Sequence, residues 1–207
     1  MIIVHHLNES RSQRILWLLE ELGLEYEIQP YLRDAKTRLA PPGLIAIHPL
    51  GKSPVISNGA TVVHESGAIV DYLVRLSGGK LCPEPASPNY EQYVQWLHYA
   101  EGSAMLPLML KMYVARLGNA GAPLQPRIDS EIANHLGYIE QSLDGVQYLV
   151  GNEFSAADVQ MSFVGEVAGA FGLRGGFPNL DAWIGRLHAR PAYQAAIERG
   201  GPYGMAD

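Results

Sequence analysis

The 207-residue chain is 47% hydrophobic and 17% charged, with a net charge of −6. This composition excludes a disordered chain and leaves room for one large core or two small ones. The acidic balance, with no Lys/Arg cluster interleaved with aromatics, excludes a nucleic-acid surface, and no apolar run is long enough to span a bilayer.

The start, MIIVHHLNESRSQR, has neither the basic beginning, the long apolar stretch nor the small-residue cleavage site of a secretory leader, so the expected location is cytoplasmic. The single cysteine, Cys82, lies in the Pro-rich segment KLCPEPASP and has no partner for an internal disulfide, in keeping with a reducing compartment.

Residues 1–6 form a β-prone run. SRSQRILWLLEELG then switches to helical spacing with Ile15, Leu18, Leu19 and Leu22 on one stripe and Gly23 placed as its C-terminal cap. LEYEIQPYL is a second strand, completing a βαβ unit. APPGLIAIHPLG permits only a short helix between Leu44 and Ile47. SPVIS and ATVVHE flank Asn58-Gly59 and should pair as an antiparallel hairpin. SGAIVDYLVRLSG returns to the helical period, with Ile69, Leu73 and Leu76 on one face and Gly78-Gly79 ending it.

The expected fold class is therefore α/β plus all-α. Residues 1–78 form a small mixed sheet with helices, 79–87 a linker, and 88–207 a helical domain with no convincing strand. In the second half FSAADV carries a capping box, Ser155 with Asp158, and a staple from Phe154 to Val159. This is a stability feature worth about 1 kcal/mol per cap. GSAMLPLMLKMYVARLG should be a helix kinked at Pro107, with Met105, Met109, Met112 and Tyr113 at helical spacing. Such a stripe suits a core and a hydrophobic ligand site equally.

Several residues carry chemistry. A cis bond at Pro54 would turn the backbone of Ser53 outward, so that its N–H and C=O face a groove and can pair with an extended peptide. Glu65-Ser66 stands at a strand-to-helix junction, where unpaired amides favour a ligand carboxylate. Lys52 is two residues from Pro54 and offers an ammonium to a second carboxylate. In the turn LNESRSQR, Asn8, Ser10 and Ser12 gather where helix N-terminal amides would stabilise an anion, a thiolate included. No cysteine lies in that turn, so a thiolate there must belong to the ligand. From the residues alone, Ser10 is equally an N-cap of the first helix and Lys52 a solvated surface lysine. His5 and His6 are adjacent on a strand and point to opposite faces, and with no further ligand set no metal site is expected.

SRSQRILWLLEELG, HPLGKSPV, HESGAIVDYL and LVGNEFSAADV, in that order, resemble the cytosolic glutathione transferases over essentially the whole chain, most nearly the serine-type, theta-like bacterial and fungal branch. The resemblance implies a thioredoxin-like N-terminal domain, an all-helical C-terminal domain and a homodimer. It implies that Ser53 pairs its backbone with the cysteinyl part of glutathione beside cis Pro54, that Glu65 and Ser66 hold the γ-glutamyl end, and that Lys52 holds the glycyl carboxylate.

Ser10, four residues before Arg14, stands where serine-type members hydrogen-bond the glutathione sulfur, with Asn8 as the rival donor. His6 occupies the position of the hydroxyl of tyrosine-type enzymes, so a tyrosine mechanism is disfavoured. Lowering a thiol pKa from about 8.5 to about 6.5 takes about 2.7 kcal/mol, within reach of one charge-assisted hydrogen bond and a helix N-terminus.

The implied activity is conjugation of the glutathione thiolate to hydrophobic electrophiles held near Met105, Met109, Met112 and Tyr113, a detoxification chemistry. Glutathione serves as co-substrate with no further cofactor, and glutathione-dependent peroxidase activity is a variant. The alternative is a non-catalytic ligand-binding or protein-interaction module of the same fold.

Overall fold

The computed structural model describes residues 1–205. The described residues divide into two compact units, Met1–Glu84 together with residues 187–205, and Pro85–Arg186. The break at Glu84/Pro85 falls inside the Pro-rich segment. The last helix, which the sequence pattern assigns to the helical domain, belongs instead to the first unit.

The first unit runs β1 (Ile2–Leu7), α1 (Ser12–Leu22), β2 (Tyr26–Tyr31), α2 (Gly43–Ile47), β3 (Val55–Asn58), β4 (Thr61–His64) and α3 (Ser66–Leu76). The sheet order is β2-β1-β3-β4. β1 and β2 are parallel, and β1 pairs antiparallel with β3 through Ile2↔Asn58 and Val4↔Ile56. With neighbours on both edges and cover on both faces, β1 is buried at Ile2, Val4, His5, His6 and Leu7.

The β3–β4 hairpin closes on the pair Asn58↔Thr61. Its two turn residues are Gly59 and Ala60, one position later than the Asn-Gly signal indicates. Only Gly59 has positive φ, at 60°, the pattern of a turn that needs the left-handed region at its first central position alone.

Both long helices of this unit end in paired cap bonds. Gly23 N–H donates to Glu20 O and Leu24 N–H to Leu19 O, and Gly78 and Gly79 repeat the arrangement onto Arg75 and Val74. Ile15, Leu18, Leu19 and Leu22 are buried as their stripe predicts, and Leu16 and Trp17 are buried with them. In α3, Ile69 and Leu73 are buried but Leu76 is 47% exposed. At the last turn the covered stripe passes to Val70 and Val74 instead.

α9 (Pro191–Gly200) packs along α1. Its contacts are specific: Gln13 Nε2 donates to Ala196 O at 2.9 Å, Trp17 meets Tyr193 edge-on at 5.2 Å, and Arg190 forks onto Glu21 at 2.5 and 2.9 Å. Glu21 also accepts Trp17 Nε1–H at 2.8 Å.

The second unit contains α4 (Tyr90–Tyr99), α5 (Met105–Ala115), α6 (Gln125–Ser142), α7 (Ala156–Ala170) and most of α8 (Pro178–His188). Between α4 and α5, Ala100–Ala104 forms a π-helical turn. The chain thus reaches Pro107 through a widened turn, the feature that absorbs a helix residue lacking an N–H. α7 is buried almost throughout, and its start carries the expected capping box of Ser155 and Asp158. No helix among the described residues is long and apolar enough to cross a membrane.

Candidate functional site

The ladder between β1 and β3 stops after Val4↔Ile56. The register would next bring Val55 opposite His5 and then Pro54 opposite His6, and a proline has no N–H to donate. The Ser53–Pro54 bond is cis. Ser53 then leaves the sheet and its hydroxyl donates to His5 O at 3.1 Å. The carboxyl end of β1, the start of β3 and the turn into α1 therefore meet at one place.

In that turn Ser10 is 4% exposed. Its Oγ accepts the Ser12 N–H at 3.2 Å, lies 2.8 Å from Ser12 Oγ and donates to Ser53 Oγ at 3.4 Å. Ser10 therefore both caps a backbone donor at the mouth of α1 and faces the cis-proline edge. Ser12 Oγ lies 2.8 Å from His6 Nδ1 and 3.2 Å from Leu7 O, and His6 Nε2 lies 3.1 Å from Gly200 O. Burial pushes the His6 ring below its ordinary pKa, partly offset by the Gly200 carbonyl. His5 faces away, bonded to Tyr31 Oη at 3.3 Å and Ser57 Oγ at 3.2 Å.

Asn8 has a different environment. Its Oδ1 accepts the Arg33 N–H at 2.8 Å, and its carbonyl accepts Arg33 Nε at 3.0 Å. Arg33 also reaches Glu9 O and Arg38 O. One guanidinium thus holds the whole turn, including Glu9 in its left-handed conformation at φ 52°.

At the head of α3, Glu65 has φ 66° and an exposed side chain, and Ser66 is buried with its Oγ accepting Arg14 Nη2 at 2.5 Å. The first α3 bond runs from Ile69 N–H to Glu65 O, so the preceding amides of the helix N-terminus have no intrahelical acceptor. Lys52 is exposed and Pro54 buried.

Of the predicted residues, the structure brings Ser10, Ser53 and Pro54 together, and ties Ser66 to α1 through Arg14. The four α5 residues divide by environment. Met105 is 2% exposed and belongs to the core of the second unit, Met109 and Met112 are half-buried, and Tyr113 is 52% exposed. A surface cavity of ≈ 390 Å³ in that unit, lined by Val114, Gly118, Ala122, Gln125 and Asp129, contains none of them.

Arg14, Arg33 and the His6–Ser12 contact were not singled out by sequence reasoning. A polar residue at a buried position of an otherwise apolar helix marks Arg14 in retrospect. No local signal marks Arg33's hold on the turn, because the turn carbonyls it bonds, Asn8 O and Glu9 O, lie 25 and 24 positions away.

Two family models match the chain: the glutathione S-transferase N-terminal domain over residues 1–75 and the C-terminal domain over 102–191. The chain belongs to the glutathione S-transferase family. It is 34% identical to glutathione S-transferase 3 of Schizosaccharomyces pombe, covering 96% of this chain and 88% of that protein. It is 31% identical to glutathione S-transferase 1 of Saccharomyces cerevisiae, covering 96% and 95%. Among solved structures, a glutathione S-transferase of Actinobacillus pleuropneumoniae superposes with a TM-score of 0.89 at 32% identity, over 99% of this chain and 94% of that one. The family's fold, a thioredoxin-like domain followed by helices, accounts for the cis-proline edge and for the helical second unit.

Proposed function

We propose that this glutathione transferase is of the serine type. In this reading it binds glutathione along the Ser53–Pro54 edge, holds its thiolate with the Ser10 hydroxyl, and conjugates it to hydrophobic electrophiles that contact α5 at Met109, Met112 and Tyr113. The observation that carries the reading is the placement of a buried Ser10 hydroxyl 3.4 Å from Ser53 Oγ at the cis bond.

Ser10 is preferred over Asn8 because Ser10 Oγ faces Ser53 Oγ at the cis bond, whereas the Asn8 side chain is turned to the Arg33 backbone at the end of β2. Ser10 Oγ, by contrast, carries a rotatable proton beside the helix N-terminus. Glu65 and Ser66 take the γ-glutamyl end and Lys52 the glycyl carboxylate.

Calorimetric titration with glutathione, paired with the ultraviolet absorbance of bound thiolate across pH, tests this. Binding with thiolate formed well below the free thiol pKa is expected. Ser10→Ala should keep binding and lower turnover by about 10²-fold, the cost of one donor to a developing anion, while Asn8→Ala keeps most of it. Absence of binding at millimolar glutathione overturns the reading.

A further inference from the structure

Behind Ser10 stands a chain of hydroxyls ending in a buried imidazole, and none of it is used by a simple donor-to-thiolate mechanism. We infer that Ser12 and His6 form a proton path behind Ser10, with His6 Nδ1 as the resting place of the proton that a bound thiol gives up. The inference rests on the serine-type reading and extends it. Ser10 touches the substrate, and His6 acts through two hydroxyls as a positioning residue and proton acceptor.

The direction of each bond follows from chemistry. Gly200 O can only accept, so His6 Nε2 carries a proton and donates to it across 3.1 Å. In the neutral ring Nδ1 is then the acceptor, and among the described residues the hydroxyl bonded to it is that of Ser12, at 2.8 Å. With its proton committed to Nδ1, Ser12 Oγ accepts from Ser10 across the next 2.8 Å, the Ser10 proton turning to this shorter contact from the 3.4 Å contact with Ser53 Oγ. The resting chain is Ser10 Oγ–H to Ser12 Oγ–H to His6 Nδ1.

These groups sit out of water: Ser12 is 0%, Ser10 4% and His6 5% exposed. Of the charged groups near the chain, Arg11 lies in the same turn between the two serines, and others are bonded to groups outside the chain. Arg14 bonds Ser66, Arg33 holds the carbonyls of Asn8 and Glu9, the Glu9 carboxylate accepts the Gly204 amide, and Arg199 pairs with Glu20. Burial disfavours the charged ring while no anion is near it, and a thiolate formed in the same site favours the charged ring.

The transfer balances. The thiol S–H proton passes to Ser10 Oγ, the former Ser10 proton to Ser12 Oγ, and the former Ser12 proton to His6 Nδ1. The products are a thiolate and an imidazolium, and no proton leaves the protein. Ser10 now donates to the thiolate. The imidazolium Nδ1–H donates back to Ser12 Oγ, and the Ser12 hydroxyl has an acceptor waiting in Leu7 O at 3.2 Å. Every donor has a partner in both states, which a merely structural serine pair does not require. The imidazolium in turn offsets the thiolate charge within the same buried site.

The test uses the intact chain with glutathione as the probe. Nitrogen NMR of the His6 ring is followed alongside thiolate absorbance near neutral pH, and the protons released are counted by calorimetry in two buffers of different ionisation heat. The expected result is thiolate formation with His6 Nδ1 becoming protonated and far less than one proton reaching the buffer per thiolate. Thiolate formation with a neutral His6 and a full proton in the buffer overturns the path and leaves the transferase reading standing. Binding without thiolate also overturns it, and absence of binding overturns both.

Ser12→Ala should raise the apparent pKa of the bound thiol by about one unit or more, a tenfold loss of thiolate at a given pH, with His6 staying neutral. An unmoved pKa in that variant overturns the path. If Ser12→Ala does not fold, the wild-type ring signal decides alone.

Discussion

Each unit buries one prominent polar cluster, and the two differ in how completely their hydrogen-bonding capacity is committed. In the second unit Asp158 is 0% exposed. Its Oδ1 accepts Leu149 N–H at 3.1 Å and Trp183 Nε1–H at 3.0 Å, and its Oδ2 accepts Ser155 N–H at 2.9 Å and Ser155 Oγ–H at 3.1 Å. Four donors meet the four lone-pair sites of one carboxylate, so nothing is left for a ligand. In the first unit the hydroxyls of Ser10 and Ser12 each have more than one partner within reach, and their protons can be redistributed without breaking the cluster. A saturated cluster fixes a fold, whereas one with exchangeable protons can do chemistry.

The largest effect that would break this contrast is on the saturated side. Asp158→Ala leaves three buried N–H donors unpartnered, at about 1–3 kcal/mol each. A loss of about 3 kcal/mol or more, or failure to fold, is expected by thermal denaturation; a loss under about 1 kcal/mol would mean saturation is not what holds α7. Glu21 sharpens the comparison because it is a largely committed carboxylate inside the first unit, accepting three donors from Trp17 and both arms of Arg190. Glu21→Gln should cost about 1–3 kcal/mol and raise amide exchange along α9, showing that commitment, and not the unit, sets the structural role.

A smaller effect concerns pH. Burial holds His5 and His6 below their ordinary ionisation range. Both rings must therefore bind protons more readily when unfolded. The stability this gives is present above the unfolded value near about 6.5 and is lost as pH falls through the lower folded values. Denaturation midpoints taken from neutral pH downward should fall over that window, and His6→Gln should flatten the slope. The smallest expected effect is that of Ser10→Ala on stability, about 1–3 kcal/mol, since one buried backbone donor, Ser12 N–H, loses its acceptor, against three for Asp158→Ala. A much larger loss would place Ser10 with the structural clusters.

Much of this was legible in local pattern. The period of α1, the glycines that end α1 and α3, the Ser155–Asp158 box and the proline at the mouth of β3 are set by residues a few positions apart, where backbone geometry and caps dominate. Ser10, Ser53 and Ser66 stand out in the sequence for the same reason: each sits at the end of a predicted element. The hairpin was found, with its turn displaced by one residue, because a single positive φ at Gly59 satisfies it and Asn58 stays in the ladder.

Other features required the folded chain. That Met105 is buried while Tyr113, on the same stripe, is half exposed is not encoded in their spacing and is decided by packing. The Asn8 oxygen is taken by an amide 25 positions away. α9 joins the first unit through Trp17, Gln13 and Glu21, and His6 finds its acceptor in Gly200, 194 positions along the chain. The sequence by itself determined the elements, their ends and the chemistry available at those ends, because these depend on short-range dihedrals and hydrogen bonds. Only the tertiary structure decided which hydroxyl faces the cis-proline edge and which imidazole stands behind it, because those partners are selected by burial and by contacts that no window of sequence contains.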